Sequence, residues 1–556
     1  MEYKAGRPLD PAFLRTRTKK TAFTAALVLC VCAGTASGCS NAPAPVKTAG
    51  APRPTANPTT GPAFAPTSAA QVNLPVADPA ASATPTDAPN TPTQPEAPQG
   101  PRLTSQGYIT FIYRRPKVDA LFIGYVRHGQ SVAIKSTQTV PGVGCSGGFY
   151  AIEPHGYVCN DRTVTLQPNE RFVAAARATD PVSGPFPYKY ALSNGSPMYN
   201  RIPTKDEQTR FERTYGPVGK WIPLHKSVAA HGDLATFDPI AAVDPVPSVF
   251  LDKRPADPDK MGLIRQTIPL GSMLSYTKVF EAEGRTWLLS VDQTLVPADR
   301  MRPFKPSSFH GTKLGGDTNL PIAWMRKTAK PKYKKTEGGQ VESAGAEWGV
   351  RTFVGLTGQK VTVDGKVYLE TVETAGQNGK YYIAEADATV AEAKDKLPFG
   401  LDMTRTWIHV SISKGTLVAY RGLTPEYATL MSPGKGGIPQ KGRDNVDNAT
   451  TPTGTYNITF KDRAATMSPE TGENRSFWIQ DVPWTQYFNP PFALHAAFWH
   501  ERFGEPTSAG CVNVAPIDAE WLFEWSEPKV PAGWQGATGA GATSVNGPVT
   551  AVVVQR

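Results

Sequence analysis

From residue 101 to about 400 the apolar residues come in short β-type runs between turn signals, and that punctuation leaves little room for a helical architecture. Ile109-Thr110-Phe111-Ile112-Tyr113 and Leu121-Phe122-Ile123-Gly124-Tyr125-Val126 are examples. Such runs, rich in β-branched and aromatic residues and bounded by Gly and Pro, read as strands. The chain has 556 residues, too many for one core. Domains of ~100–200 residues predict two to four of them. From about 403 the pattern strengthens. Trp407 to Ile412 alternates, a turn at Lys414-Gly415 leads into Leu417 to Tyr420, and the pair reads as a hairpin. Tyr456, Ile458 and Phe460 alternate along one further strand, and Phe477-Trp478-Ile479 begins another. Pro516 is placed to open a helix, with Ile517, Trp521, Leu522 and Trp525 on its apolar face. The fold class is therefore mainly β and multidomain, with one or two short helices in the last domain.

A weak internal similarity organises the middle. Gly147 to Ile152, Gly284 to Leu289 and Gly379 to Ala384 share a Gly-x-x-aromatic pattern. Eight positions after each central aromatic stands an apolar residue: Val158, Leu295 and Val390. The segments resemble small Src-homology-like β-barrel modules, although any hairpin carries Gly, an aromatic and β-branched residues. The expected modules span 101–180, 181–330 and 331–400, followed by a domain at 403–530 and a Gly-rich tail at 531–556 with a possible last strand at Val549 to Val554.

The first forty residues bear on the compartment. Lys4, Arg7, Arg15, Arg17, Lys19 and Lys20 precede an apolar, small-residue stretch from Thr21 to Thr35. That stretch has the length of a signal-peptide core and is too short to span a bilayer. Ala36-Ser37-Gly38-Cys39 follows and resembles the bacterial lipoprotein cleavage box. The resemblance implies a signal peptide at 1–38 and a lipid anchor on Cys39, with more than one acyl chain as stable anchoring requires. Residues 39–100 are Ala, Pro, Thr and Ser with few large apolar side chains, so they are expected to form a disordered tether. Export permits oxidation, and Cys145 and Cys159, fourteen positions apart, are read as a disulfide. Closing so short a loop stabilises by ~3 kcal/mol on the chain-entropy account. Cys30 and Cys32 lie in the leader, which leaves Cys511 outside the disulfide. Net charge is +10, without a recognition helix or zinc-finger spacing, so a nucleic-acid partner is not expected and a solvated or wall-facing surface is.

The stretch richest in chemistry is Leu494-His495-Ala496-Ala497-Phe498-Trp499-His500, followed by Ser508-Ala509-Gly510-Cys511-Val512-Asn513. A thiolate, not a thiol, is the nucleophile, so a cysteine used in acyl transfer needs a base beside it. His495 and His500 stand sixteen and eleven positions upstream of Cys511. Gly510 lets the backbone approach a carbonyl closely, and N–H groups around Gly510 and Cys511 are candidates for an oxyanion site. His128, His155, His225, His231 and His310 lack ligand spacing, and no metal or other cofactor is expected.

Thr451-Pro452-Thr453-Gly454-Thr455-Tyr456, then His495, then Ser508 to Asn513 resemble the L,D-transpeptidase (YkuD-type) catalytic domain. That family carries a Pro-x-Gly turn entering a strand, a histidine, and a Ser/Thr-His-Gly-Cys-hydrophobic-Arg/Asn signature. The resemblance implies Cys511 as nucleophile, His495 as base, and supporting places for Ser508, Gly510 and Asn513. It implies peptidoglycan stem peptides as substrate and an exported, lipid-anchored protein of the cell envelope. Ala509 departs from the pattern, which usually has histidine there. Three readings follow: His495 suffices, His500 folds inward and replaces the lost ring, or a weakened or inactive site still binds peptidoglycan.

Overall fold

The computed structural model describes residues 100–556 except 119–120, 227, 229–232, 252–261, 377–378, 470–475 and 540–544. The signal peptide, the tether and the expected anchor Cys39 lie outside the described residues. Strands dominate. The helices among the described residues are Glu170–Ala178, Lys205–Glu212, Ser248–Leu251 and Pro516–Trp525. None is long and apolar enough to cross a membrane.

Two facing sheets build the C-terminal region. The first runs in the order Thr312–Lys313, Thr424–Leu430, Thr416–Arg421, Thr406–Ser411, Ala551–Gln555, Gly454–Asn457. Its hairpin turns at Lys414-Gly415, and all six residues of Thr406–Ser411 are buried, as a strand covered on both faces must be. The chain's last strand, Ala551–Gln555, lies parallel to Thr406–Ser411 and antiparallel to Gly454–Asn457, well inside the sheet. The second sheet includes Gly536–Thr538, Phe460–Met467, Ile479–Asn489, Phe492–Ala496 and Val512–Val514. The single strand expected through Tyr456, Ile458 and Phe460 is two. The chain changes sheets between Asn457 and Phe460, where Ile458 N–H donates to the Thr550 carbonyl at 3.0 Å and Thr459 N–H to the Tyr487 carbonyl at 2.7 Å. Ile408, Val410, Leu494, Val512, Leu522 and Val552 belong to one core between these sheets and the helix Pro516–Trp525.

Polar groups pin that helix at both ends. Near its start, the buried Asp518 carboxylate accepts from Gly311 N–H and Tyr427 O–H, each at 2.7 Å. At its end the buried Lys461 amino group donates to the carbonyls of Phe523 and Ser526, while burial pushes its pKa well below the ordinary lysine value. These bonds satisfy carbonyls that have no partner within the helix.

Upstream segments are joined to this region by pairing. Phe122–Arg127 pairs with Gly536–Thr538, so the second sheet continues into the N-terminal segment through Ile109–Tyr113. Cys145 and Cys159 form a disulfide across a hairpin there. Met273–Ala282 meets Ile479–Asn489 at Met273. Residues 322–391 form a seven-stranded sheet from Val341–Trp348 at one edge to Thr389–Ala391 at the other. No closed barrel occurs among the described residues, because the two edge strands of that sheet do not pair with each other. The three Gly-aromatic segments do enter strands, Phe149–Ala151, Arg285–Ser290 and Gly379–Ala384. The first two form hairpins with the strands carrying Val158 and Leu295, whereas Val390 pairs with Ala323 instead.

One buried charge cluster sits where three of these segments meet. Asp481 has a left-handed backbone (φ 49°) inside its strand and is ion-paired with Arg127 of the N-terminal segment. Ser275 Oγ also donates to its carboxylate, and Tyr190 O–H donates to its carbonyl at 3.1 Å. The Asp481 side chain is 1% exposed and that of Arg127 12%. Removing one partner of a buried pair leaves an uncompensated charge, at ~3–5 kcal/mol. Arg127→Met is therefore expected to lower stability by about that much, whereas adding Asp481→Asn to it should restore part of the loss. Urea unfolding of the single and double variants measures both, and additive losses would contradict the coupling.

Candidate active site

Cys511 immediately precedes the strand Val512–Val514, which lies parallel to Phe492–Ala496. Leu494 faces Val512 and His495 faces Asn513 in that register. The hairpin between Ile479–Asn489 and Phe492–Ala496 thus carries His495 to the strand beside the nucleophile candidate. On its other side, Ser432 and Asn513 exchange backbone hydrogen bonds at 2.8 and 3.0 Å. The loop after Ser432 continues past the signature turn, with Lys435 N–H donating to the Ser508 carbonyl at 2.8 Å.

The turn before Cys511 is built by Ser508 and Gly510. Ser508 Oγ accepts from Gly510 N–H at 3.0 Å and donates to the Cys511 carbonyl at 2.6 Å. Gly510 has φ 121°, and a Cβ there would lie 2.4 Å from the Phe492 ring. Backbone conformation and packing both demand glycine. The structure corrects one expectation: Gly510 N–H is committed to Ser508 and does not point into an oxyanion site. Its role is to shape the turn that presents Cys511.

Cys511 is half-buried and outside any disulfide. It packs at the edge of an apolar cluster containing Tyr487, Phe460 and Ala493. Burial first, then Asp462, then Cys511 push the Tyr487 phenol upward, which places that ring within electrostatic reach of the sulfur.

His495 is 2% exposed. Its Nδ1 lies 3.1 Å from the Ala496 carbonyl, an acceptor, so Nδ1 carries the proton and Nε2 keeps its lone pair. Burial lowers its pKa to about 4, the carbonyl opposing that shift. At neutral pH the ring is an uncharged base.

His500 is also buried. Its Nδ1 accepts from Arg502 N–H at 3.2 Å, which fixes the proton on Nε2, 3.1 Å from the Asn513 amide. Asn513 Oδ1 is otherwise a buried acceptor without a partner. Turning that amide over satisfies both groups at once. His500 is thus folded inward with both ring nitrogens engaged, and burial, Arg502 and His495 hold its pKa near about 3. Ala509 is exposed, with space for a larger side chain.

Other residues shape the site without a sequence signal. The loop between the histidines and Cys511 is clamped by the upstream segments. Arg351 and Ser307 bind the two Glu501 oxygens at 2.7 and 2.8 Å. Arg326 donates to the Gly504 carbonyl at 2.9 Å, and Asp233 pairs with Arg502 at 2.7 Å. Phe492, the wedge behind Gly510, carries no motif of its own. Among the described residues there is no group of His, Cys, Asp and Glu fit to hold a metal.

Residues 405–549 match the L,D-transpeptidase catalytic domain family, YkuD, and carry such a domain. Among solved structures the chain is similar to the L,D-transpeptidase of Xylanimonas cellulosilytica (21% identity over 29% of this chain and 65% of that one, TM-score 0.19). It is also similar to the catalytic domain of the E. faecium L,D-transpeptidase (18%, 28% and 98%, TM-score 0.20). A third is the L,D-transpeptidase of Mycobacterium smegmatis (13%, 36% and 99%, TM-score 0.20). The chain spans 65% of the length of the first of these. No curated protein matches.

The two histidine shifts set a pH dependence. Both folded values lie below the ordinary 6.5. Their contribution to stability is complete above pH 6.5 and is lost as pH falls toward about 4 for His495 and about 3 for His500, because the unfolded chain takes up protons that the folded one does not. An imidazole NMR titration should find His495 uncharged at pH 5.5, and a midpoint near 6.5 would contradict this account of the site.

Proposed function

We propose that this protein is a peptidoglycan L,D-transpeptidase with Cys511 as nucleophile and His495 as base, exported and held in the cell envelope by lipid on Cys39. The observation that carries the reading is the register that sets an uncharged, buried His495 on the strand beside Cys511, inside the matching domain. The exported location rests on the leader and the Ala36 to Cys39 box alone.

In the reaction, Cys511 sulfur gives its proton to His495 and attacks the carbonyl carbon joining the L-centre of a stem diamino acid to D-Ala. The carbon–nitrogen bond breaks, His495 returns the proton to the leaving amine, and a thioester remains on Cys511. The amine of a neighbouring stem, or of a protein lysine, then attacks the thioester. It loses its proton to His495, which passes it to the leaving sulfur, so a new amide forms and the Cys511 thiol is restored. Water in its place would make the enzyme a carboxypeptidase. A general base contributes ~10²–10⁴-fold to such a step. Engagement of both His500 nitrogens favours His495 acting without it.

Ala509 supports a second reading, a wall-binding lipoprotein with a degenerate site. Incubation with a carbapenem separates the two. The wild-type chain should gain one drug mass and Cys511→Ala none, whereas wild type without adduct would favour the binder. Ala509→His tests the missing ring. If a second imidazole assists, acylation should speed up about tenfold or more. An unchanged rate would mean that His495 already supplies the base.

A further inference from the structure

A cavity of about 600 Å³ opens beside the upstream segments, apart from the Cys511 turn. Its floor is aromatic. Tyr188, Tyr190, Tyr276 and Phe498 line it as buried rings, with Phe186 and Phe304 half-buried at its surface; Phe498 lies between His495 and His500 in the chain. The Tyr190 ring stacks on Phe498 at 3.8 Å, and Phe304 meets Phe498 edge-on at 5.5 Å. The floor therefore includes Phe498 of the loop that follows the His495 strand.

The rim is basic. Arg177, Lys189, Lys278 and Lys305 border the opening. Lys278 pairs with Asp244 at 3.5 Å, while Lys189 and Lys305 are exposed and have no ion pair among the described residues. A second cavity of about 240 Å³ shares Asp180, Pro181 and Tyr188 with the first and is lined by Arg127, His128, Arg265 and Asp292, the last paired with Arg127 at 3.5 Å. The two lie side by side, as an elongated ligand would require.

We infer that this cleft holds a glycan strand of peptidoglycan, at a site separate from the stem that reaches Cys511; the inference rests on the transpeptidase reading. Sugar rings present flat C–H faces that pack on aromatic rings, and concave, largely apolar sites with a few polar groups are the usual form of small-ligand recognition. A neutral polysaccharide would make no use of the basic rim. Peptidoglycan carries carboxylates on its stems, spaced along an otherwise uncharged glycan, which matches an aromatic floor with cations at the edge. Phe498 stands three residues after His495, so a strand seated in the cleft lies beside the loop that follows the proposed base.

The test uses the full chain with Cys511 already acylated by a carbapenem, so that the catalytic site is filled. Titration with a disaccharide-tetrapeptide, followed by calorimetry, should show binding. The surface variant Lys189→Gln/Lys305→Gln should weaken it about tenfold, the loss of roughly 1.4 kcal/mol, and Phe186→Ala should weaken it too. Chitotetraose, a neutral glycan, should bind weakly and be indifferent to the lysine pair. Carbapenem acylation should proceed at the wild-type rate in the lysine variant. No muropeptide binding, equal affinity of wild type and lysine variant, or binding of a glycerol-phosphate polymer in place of muropeptide would each overturn the inference. Should wild type fail to acylate, the transpeptidase reading falls, and the same titration on Cys511→Ala decides the cleft separately.

Discussion

The pairing register between Phe492–Ala496 and Val512–Val514 is the constraint on which the site depends. Side chains alternate along a strand, so a slip of one residue would turn His495 to the opposite face. Several independent contacts forbid that slip. Phe492 fills the space beside Gly510, Ser508 ties the turn to the Cys511 carbonyl, and Ser432 grips Asn513 from the other side. Each contact reads the same register, so the position of Cys511 is fixed by packing and hydrogen bonding together.

The upstream segments extend that constraint outward. Arg127 reaches Asp481 in the strand that precedes the His495 hairpin, and Ser275 and Tyr190 reach the same residue from a different segment. Arg326, Arg351 and Ser307 hold the loop from Glu501 to Gly504. Loops open more easily than paired strands, and this one links the histidines to the nucleophile. Holding it by charge-assisted bonds from flanking sheets makes the accessory segments part of the site's geometry.

Much of the fold around the site was legible because its signals are local. The Lys414-Gly415 hairpin, the helix opened by Pro516 and the Cys145–Cys159 bridge each follow from a few adjacent or closely spaced residues. Thr204 and Glu207 form a capping box that starts the helix Lys205–Glu212, a readable signal that the strand-dominated pattern masked. What escaped reading depends on long-range pairing. Arg127 and Asp481 are 354 positions apart. The Ala551–Gln555 strand inserts between two others that are distant in sequence, and periodicity alone cannot show which sheet a strand enters. The Tyr456 to Phe460 alternation is real, but a corner between sheets breaks it without any change in pattern. Likewise, the glycine beside the cysteine suggested a free N–H, and only the Ser508 contact reveals where that proton goes.

The resting state of His495 bears on how such a site would work. Burial holds the ring near a pKa of about 4, which makes it a weak proton acceptor when nothing else changes. The same low-dielectric surroundings strengthen any ion pair formed within them. In the proposed reaction the imidazolium and the thiolate appear together, so each charge stabilises the other at the moment the sulfur attacks. An isolated thiolate or an isolated imidazolium would be disfavoured there. The half-buried sulfur and the fully buried ring therefore suit concerted proton transfer better than a preformed ion pair.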